Sequence, residues 1–488
     1  MQTSLRRKTI TGVVWAGIGQ FGSQAIHYVV LLILAWLLSP EDFGLLGMAM
    51  VFILFIQPVG DLGLAAAIVQ KKETREPALS TAFWANLVLS LLLAALTYVS
   101  AELIASFLGD VSAAPLLRVL SIIFPISALA IVPTALLVKE LKFQQVTVRQ
   151  FVGQIAFGVV GLVLAALGAG VWSLVGAAIA ERLANTVTLW MLVTWRPRFA
   201  FSLHALRGLL SFGFYAMAAS VFAKSIANID YFVVGRWLGT EALGYYTLAF
   251  QLAVIPQRRL IGVLRRVAFP AFSLVQDDLE RLKRGFLEGI QHLSVVLVLV
   301  GLLLAALGPW FIAAVYGPKW LPSARPLQVL AIAGIFYGFD IAESFYFAAG
   351  RPKIRIGVIG LRLALFVIFV IAFGLSLGIT GVAISLTLAV VLTSSIGFVV
   401  VGRMTHATWQ ELLGPIWPAT RGALLACIPL IVLDFIPVSE ISPWVVLVGM
   451  GLIMTLVYGL AVAPSYRALL SRVSVDAVRY IRRSSFSS

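Results

Sequence analysis

The sequence predicts an all-α, polytopic integral membrane protein. Its 488 residues are 61% hydrophobic and 12% charged, whereas soluble proteins carry about 25% charged residues. Apolar runs of about 20 residues, the length that crosses a bilayer as a helix, recur along the chain, without the alternation typical of transmembrane β-strands. A water-soluble enzyme is therefore excluded. The single cysteine, Cys427, also excludes an intrachain disulfide or a multi-thiolate metal site.

These apolar runs predict about 14 membrane-spanning helices. Turn residues such as Ser39-Pro40 and Gly350-Arg351-Pro352 separate neighbouring runs, because proline and glycine interrupt helices. The predicted spans are 11–38, 43–69, 79–108, 113–138, 147–167, 170–195, 208–237, 241–273, 285–314, 326–349, 354–377, 380–402, 422–438 and 442–464.

The distribution of basic residues predicts the orientation of the spans. If the N-terminus is cytoplasmic, most of the 36 Lys and Arg residues fall in cytoplasmic segments, and the opposite loops hold only Arg236, Lys319 and Arg325. Cytoplasmic loops of membrane proteins carry such an excess, so we predict that both termini are cytoplasmic. The net charge of +15 then reflects topology, and no nucleic-acid partner is expected.

An internal repeat predicts two related bundles. Residues 38–46 align with residues 238–246 at an offset of 200, and residues 117–122 align with residues 327–332 at an offset of 210. Each repeat contains six spans, an even number, so both copies keep one orientation and are related by a pseudo-two-fold axis along the membrane normal. The predicted parts are a six-helix bundle over 1–205, a second over 206–405, and two additional helices with a basic cytoplasmic tail over 406–488.

Several short motifs resemble a known family. They are Leu-Ser-Pro-Glu-Asp-Phe-Gly at 38–44, Asp-Leu-Gly-Leu at 61–64, the run Asn-Ile-Asp-Tyr-Phe-Val-Val-Gly-Arg at 228–236, Gln-Asp-Asp at 276–278 and Ala-Ala-Gly-Arg-Pro at 348–352. Together the motifs resemble the polysaccharide transporter family of the multidrug/oligosaccharidyl-lipid/polysaccharide exporter superfamily, the Wzx-type flippases. The resemblance covers spans one to twelve.

The resemblance implies a transporter and not an enzyme. It implies two bundles that alternate between inward-open and outward-open states. The implied cargo is an undecaprenyl-(pyro)phosphate-linked oligosaccharide that crosses a bacterial inner membrane for O-antigen, capsule or exopolysaccharide synthesis. It also implies membrane lipids, a polysaccharide polymerase and export machinery as partners.

Basic residues inside the spans are candidates for binding an anionic cargo, because a base at the centre of a lipid-facing helix costs about 2.5–3.5 kcal/mol. Arg118 lies near a span end, where snorkelling explains it, and Arg362 fits either interpretation. The Arg258-Arg259 pair follows Pro256 in span eight and either lines a cavity or marks the cytoplasmic interface. The predicted substrate-binding residues are Arg182, Lys224, Arg258, Arg259 and Arg362.

Carboxylates inside the spans are candidates for gating or coupling. They are Asp61, Asp230, Asp340 and Glu343. One interpretation is that they pair with the buried bases, since an unpaired charge is costly there. Another is that they bind H⁺ or Na⁺, and the sequence leaves both open. Asp61 is also expected to meet Arg259 and help close the cytoplasmic side. No cofactor or metal is expected, because the four histidines lack metal-ligand spacing.

Three functions compete. A drug-cation antiporter of the same superfamily favours an acidic, aromatic cavity, whereas the bases inside these spans favour an anionic cargo. An integral-membrane glycosyltransferase or polymerase needs catalytic carboxylates on sizeable outer loops, and the loops predicted here are short. The sequence therefore favours the flippase.

Overall fold

The computed structural model describes residues 22–71, 76–140, 142–274, 278–433 and 441–484, and within these ranges it contains helices and no β-strand. The predicted all-α class is therefore confirmed. Two compact units divide the chain, Met1–Thr247 and Leu248–Ser488, called unit 1 and unit 2. The predicted bundle boundary at 205/206 falls before the boundary between the units, and the bundle limits stay a prediction.

Unit 1 holds the helices of the first seven predicted spans. They are α1 (Gly22–Leu37), α2 (Pro40–Asp61), α3 (Leu64–Gln70), α4 (Glu76–Val99), α5 (Ala101–Leu108), α6 (Ala114–Leu120), α7 (Ile123–Lys139), α8 (Phe143–Ala166), α9 (Val171–Leu192) and α10 (Leu203–Leu238). The next helix, α11 (Thr240–Ala253), begins in unit 1 and ends in unit 2. Short breaks divide spans two, three and four into consecutive helices. Helix α10 packs against α2, α3 and α4, which explains why it belongs to unit 1.

Unit 2 continues with the remaining helices. They are α12 (Ile255–Leu274), α13 (Leu279–Phe311), α14 (Ala324–Tyr337), α15 (Ala342–Ala348), α16 (Pro352–Phe369), α17 (Gly378–Met404), α18 (Trp409–Leu413), α19 (Trp417–Leu433) and α20 (Pro443–Ser484). The two additional C-terminal helices, α19 and α20, pack against α13 through a buried apolar cluster that includes Ala426 and Met454. The Tyr458 hydroxyl donates a 2.8 Å hydrogen bond to the Val295 carbonyl at this contact.

Ten helical segments of the described chain are long and apolar enough to cross a membrane. They coincide with ten of the predicted spans. The other four predicted spans contain two shorter apolar helices, Gly22–Leu37 and the one that starts at Trp417, together with α9 and the α11–α12 pair. The count of 14 stays a prediction.

Predicted span eight is not one continuous helix. A turn at Val254 separates α11 from α12. Pro256 is the second residue of α12, a position that tolerates the missing N–H and the fixed φ of proline. The predicted span 241–273 is therefore divided into two consecutive helices.

The two copies of the repeated motif meet inside unit 1. Helix α2 begins with a capping box in which Ser39 and Asp42 satisfy each other's backbone amides, and it crosses α11 at Gly44. A Cβ atom at Gly44 would overlap the Thr240 carbonyl oxygen, and one at Gly244 would overlap the Pro40 carbonyl oxygen. Reciprocal contact between equivalent residues is the geometry of a two-fold axis, as the offset of 200 predicts.

Candidate functional site

A cavity of about 370 Å³ lies within unit 1, among α2, α3, α4 and α7 to α10. Three basic residues line it, namely Arg149, Arg182 and Lys224, and one carboxylate, Asp61. Neutral polar side chains complete the polar part of the wall, namely Gln57, Ser90, Ser127, Thr134, Asn185, Thr186 and Ser220. The structure thus brings together three residues that the sequence singled out, Arg182, Lys224 and Asp61, which lie on three different helices.

The end of α2 positions Asp61. Leu62 and Gly63 adopt left-handed backbone conformations, with φ of 50° and 66°, which stop α2 and start α3. The Asp61 Oδ1 atom then accepts a 3.3 Å hydrogen bond from the Ala65 amide. Glycine is required at 63, because a Cβ atom there would overlap the Gly213 carbonyl of α10. This close contact brings α10, which carries Lys224, against the end of α2.

Lys224 is held by a neutral partner. Its Nζ donates a 3.1 Å hydrogen bond to Gln57 Oε1, one turn before Asp61 on α2. The Asn228 side chain, one turn after Lys224, donates a 2.8 Å bond to the Lys224 carbonyl. An ammonium group has three donors, so Lys224 has donor capacity beyond the bond to Gln57.

Arg149 is a cavity residue that the sequence analysis missed. It fell at the cytoplasmic end of predicted span five and counted with the basic residues that set the topology. In the structure its guanidinium donates a 2.7 Å hydrogen bond to Thr134 Oγ1 on α7. Its Nε and the nearby Ser127 hydroxyl are buried with no hydrogen-bond partner among the described residues. Both groups are therefore available to a ligand in the cavity.

The segment between α9 and α10 holds two cavity helices in place. The Trp195 indole N–H lies 2.9 Å and 3.0 Å from the two carboxylate oxygens of Glu76. The Trp84 indole donates to the Arg198 carbonyl at 2.9 Å, and the Ser202 amide donates to Thr81 Oγ1 at 3.0 Å. Because α9 carries Arg182 and α10 carries Lys224, anchoring this segment to α4 fixes both bases.

The cavity as a whole is cationic. Three bases face one carboxylate, which leaves two formal positive charges in excess. Like charges repel strongly where water is scarce. Repulsion among Arg149, Arg182 and Lys224 therefore raises the free-energy cost of holding these charged side chains in one cavity. An anion held between them would offset that cost, and guanidinium groups suit phosphate oxygens because they donate parallel hydrogen bonds.

Unit 2 holds a second set of charged residues, and there the charges are paired. The Arg362 guanidinium donates to both Asp340 oxygens at 2.9 Å and 2.8 Å, and also to Thr393 and Ser394 on α17 at 2.8 Å and 3.0 Å. The Ser394 hydroxyl donates a 2.9 Å bond to Asp340.

This pairing bears on the interpretation of Arg362. Its side chain is 13% exposed and that of Asp340 is 10% exposed, and its guanidinium donates to protein acceptors. In this structure Arg362 is a partner in a largely buried ion pair, and its role in substrate binding stays a prediction.

Glu343 links two further arginines. Its Oε2 accepts a 2.6 Å hydrogen bond from Arg265 on α12 and lies 3.2 Å from Arg355 Nε on α16. Arg265 also lies 4.0 Å from Asp340. The first interpretation of the carboxylates, pairing with buried bases, describes this arrangement. Their role in coupling stays a prediction.

The remaining candidates are Asp230 and Arg258, and Arg258 contacts the same Tyr337 ring as Arg362. Buried Asp230 accepts a 2.9 Å hydrogen bond from the Tyr246 hydroxyl in unit 1. Arg258 of α12 places its guanidinium 5.3 Å from the centre of the Tyr337 ring in unit 2, a cation–π contact. That Arg258 and Arg259 share one site with Arg182 and Lys224 stays a prediction, as does the pairing of Asp61 with Arg259.

Arg118 behaves as expected. Its guanidinium forms a 2.7 Å ion pair with Glu102, and the two side chains are 37% and 70% exposed.

Within the described ranges, no group of three or more His, Cys, Asp or Glu residues could hold a metal ion.

Comparison with known proteins relates this chain to polysaccharide biosynthesis. The model of the polysaccharide biosynthesis protein family matches residues 33–325. The chain is 28% identical over 424 residues to the lipopolysaccharide biosynthesis protein WzxC of Escherichia coli (strain K12), and the alignment covers 85% of each chain. It is 30% identical over 334 residues to the succinoglycan biosynthesis transport protein ExoT of Rhizobium meliloti (strain 1021), covering 68% of each chain.

The fold is similar to that of a solved flippase. The structure of the lipid II flippase MurJ in an inward closed conformation superposes with a TM-score of 0.72 at 16% identity, covering 94% of this chain and 100% of that chain. The predicted resemblance to polysaccharide transporters and the predicted fold class are thereby confirmed.

Proposed function

The chain belongs to the polysaccharide biosynthesis protein family, and we propose that it is a flippase for a lipid-linked oligosaccharide. In this proposal it moves an undecaprenyl-(pyro)phosphate-linked oligosaccharide across a bacterial inner membrane by alternating access, for O-antigen, capsule or exopolysaccharide synthesis. A polymerase and export machinery then use the translocated cargo. The observation that carries the proposal is the cationic cavity of unit 1.

The cavity suits the phosphate linkage of such a cargo. A phosphate or diphosphate ester would take the free donors of Arg149, Arg182 and Lys224, and would relieve their mutual repulsion. Arginine supplies paired donors in a fixed fork, whereas lysine supplies a mobile point charge. Sharing one diphosphate among three bases, two of which also have protein partners, keeps each contact moderate, which release on the far side requires.

The composition of the cavity also weighs against the second candidate. A drug-cation antiporter needs a site that attracts positive charge, but the bases here outnumber the acids by three to one. Coulombic repulsion inside this cavity would oppose a cationic drug. The neutral hydroxyl and amide side chains of the wall are suited instead to the hydroxyl groups of a sugar.

Replacing the cavity bases with neutral residues should reduce flipping. Arg149→Gln, Arg182→Gln and Lys224→Gln are each expected to lower the flipping rate by about tenfold or more, because a hydrogen bond to a charged group contributes about 1.5–3 kcal/mol. Arg182→Lys should retain part of the activity, since the charge remains. The measurement is translocation of lipid-linked oligosaccharide in inverted membrane vesicles, normalised to inserted protein.

A matched control separates the cavity from positive charge in general. Arg118→Gln removes a base from an exposed ion pair outside the cavity and should leave flipping unchanged. Full flipping by a well-expressed variant with Arg149, Arg182 and Lys224 all changed to Gln would contradict a cationic cargo site.

The proposed orientation places both termini in the cytoplasm. Reporter fusions after successive spans should alternate, reading cytoplasmic after every even-numbered span and at the C-terminus, because cytoplasmic loops hold most of the basic residues. A periplasmic reading at the C-terminus would overturn this topology.

We further propose that H⁺ or Na⁺ couples transport through Asp61, Asp230, Asp340 or Glu343, to be tested by collapsing each ion gradient in the same vesicles.

A further inference from the structure

Apart from Lys224 of the seventh span, polar residues of the two clusters come from equivalent spans of the internal repeat. In unit 1 the cavity takes Asp61 from the second span, Thr134 from the fourth, Arg149 from the fifth and Arg182 from the sixth. In unit 2 the paired residues lie on α12, on Gly338–Ile341 with α15, on α16 and on α17. These are the second, fourth, fifth and sixth spans of the second repeat.

A similar contact joins the fourth and fifth spans of both repeats. Arg149 of the fifth span donates to Thr134 of the fourth, and Arg355 of the equivalent fifth span lies 3.2 Å from Glu343 of the equivalent fourth. At the offset of 210, Thr134 corresponds to Ser344, directly after Glu343, and Arg149 corresponds to Ile359, four residues after Arg355. The partners are therefore not the same positions, but in both units an arginine of the fifth span contacts the middle of the fourth.

The two sites differ in what fills them. The unit 1 site is a cavity of about 370 Å³, whereas the space beside Asp340, Glu343 and Arg362 measures about 10 Å³. Two carboxylates occupy the unit 2 site, against one in unit 1. Because carboxylate and phosphate oxygens match the same guanidinium fork, the unit 2 carboxylates satisfy arginines that would otherwise bind an external anion.

The unit 2 cluster nevertheless keeps an excess of positive charge. Arg265, Arg355 and Arg362 face only Asp340 and Glu343, so one formal charge is uncompensated within this set. Asp340 accepts three hydrogen bonds, two from Arg362 and one from Ser394, and lies 4.0 Å from Arg265. Glu343 depends on Arg265 and Arg355 alone among these residues, which makes it the exchangeable carboxylate.

We propose that unit 2 contains a second anion-binding site, formed by Arg265 and Arg355, which the Glu343 carboxylate occupies in this structure. Its external ligand is a phosphate or diphosphate ester. Glu343 acts as an internal anion that keeps the site closed, and displacement of its side chain exposes both guanidinium groups. The existence of this site does not depend on the proposed function. The identity of its natural ligand, the phosphate linkage of the cargo, does rest on the proposed function.

Binding of inorganic pyrophosphate to the purified full-length protein tests this site. By titration calorimetry, the wild-type protein should bind pyrophosphate in unit 1 alone. Glu343→Gln should bind one additional pyrophosphate, so that the stoichiometry rises from one to two per protein molecule. Glu343→Asp, which keeps the charge, and Glu343→Gln combined with Arg355→Gln should both lack the additional site.

The outcomes distinguish this inference from the proposed function. If Glu343→Gln binds no more pyrophosphate than the wild-type protein, the second site does not exist. If the wild-type protein binds none while Glu343→Gln binds one, unit 2 holds the site and the cationic cavity proposal fails. Should Glu343→Gln prove unstable, pyrophosphate should raise its Tm more than that of the wild-type protein at matched ionic strength, and an equal rise would overturn the inference.

Discussion

Replacing Asp340 with alanine is expected to destabilise unit 2 by about 3–5 kcal/mol, the cost of leaving one partner of a buried ion pair uncompensated. Asp340 receives both terminal nitrogens of Arg362 within 2.9 Å, and both side chains are largely buried. Without the carboxylate, Arg362 keeps two hydroxyl partners and a cation–π contact with Tyr337, which compensate its charge less well than a carboxylate does. The result to measure is loss of folded, monodisperse protein after detergent extraction, or a lowered Tm.

The exposed pair in unit 1 provides the control for this experiment. Glu102→Ala removes the carboxylate from the ion pair with Arg118 and should cost less than about 1 kcal/mol, as exposed pairs do. The double variant Asp340→Ala with Arg362→Met should recover much of the lost stability, because the stranded charge is removed together with its partner. Additive losses in the double variant would show that the two residues act independently.

Gly44→Ala is expected to prevent correct packing of α2 against α11, at a cost of about 3 kcal/mol or more, the upper range for overpacking. The added methyl group would overlap a backbone carbonyl oxygen, that of Thr240, which cannot move as a side chain can. Gly244→Ala should have a similar effect through the Pro40 carbonyl. Yield of inserted protein and thermal stability in detergent measure the loss.

Gly360→Ala is the matched control for the crossing. Gly360 lies within α16, and a Cβ atom there meets no heavy atom within 4 Å. Alanine at this position should be neutral or stabilising by up to about 1 kcal/mol, since glycine is the poorer helix former. If Gly44→Ala and Gly244→Ala are as stable as Gly360→Ala, the contact between α2 and α11 does not constrain the fold.

The two units accommodate basic side chains of their apolar helices in two different ways. In unit 1, Arg149, Arg182 and Lys224 face an open cavity with a single carboxylate. In unit 2, Arg362 is neutralised by Asp340, and Glu343 serves Arg265 and Arg355. Cargo binding is therefore proposed for unit 1, while unit 2 is closed by its own acids.

The sequence by itself determined the fold class, the family, and ten helices that are long and apolar enough to cross a membrane. These follow from local properties of the chain, since apolar length decides whether a helix crosses a bilayer. It also determined the place of the repeat contact, because Gly44 and Gly244 occupy equivalent positions in the motif at an offset of 200. Because glycine has no Cβ atom, it allows the backbones of two helices to approach closely at such positions.

Only the tertiary structure decided which charges meet. Arg182 and Arg362 look alike in sequence, as single bases within apolar helices, yet one lines a cavity and the other is bound by Asp340. Arg149 looked like an interfacial residue until α7 and α8 placed it against Thr134. The physical reason is that the free energy of a buried charge depends on its neighbours within a few ångströms, and residues far apart in the chain supply those neighbours.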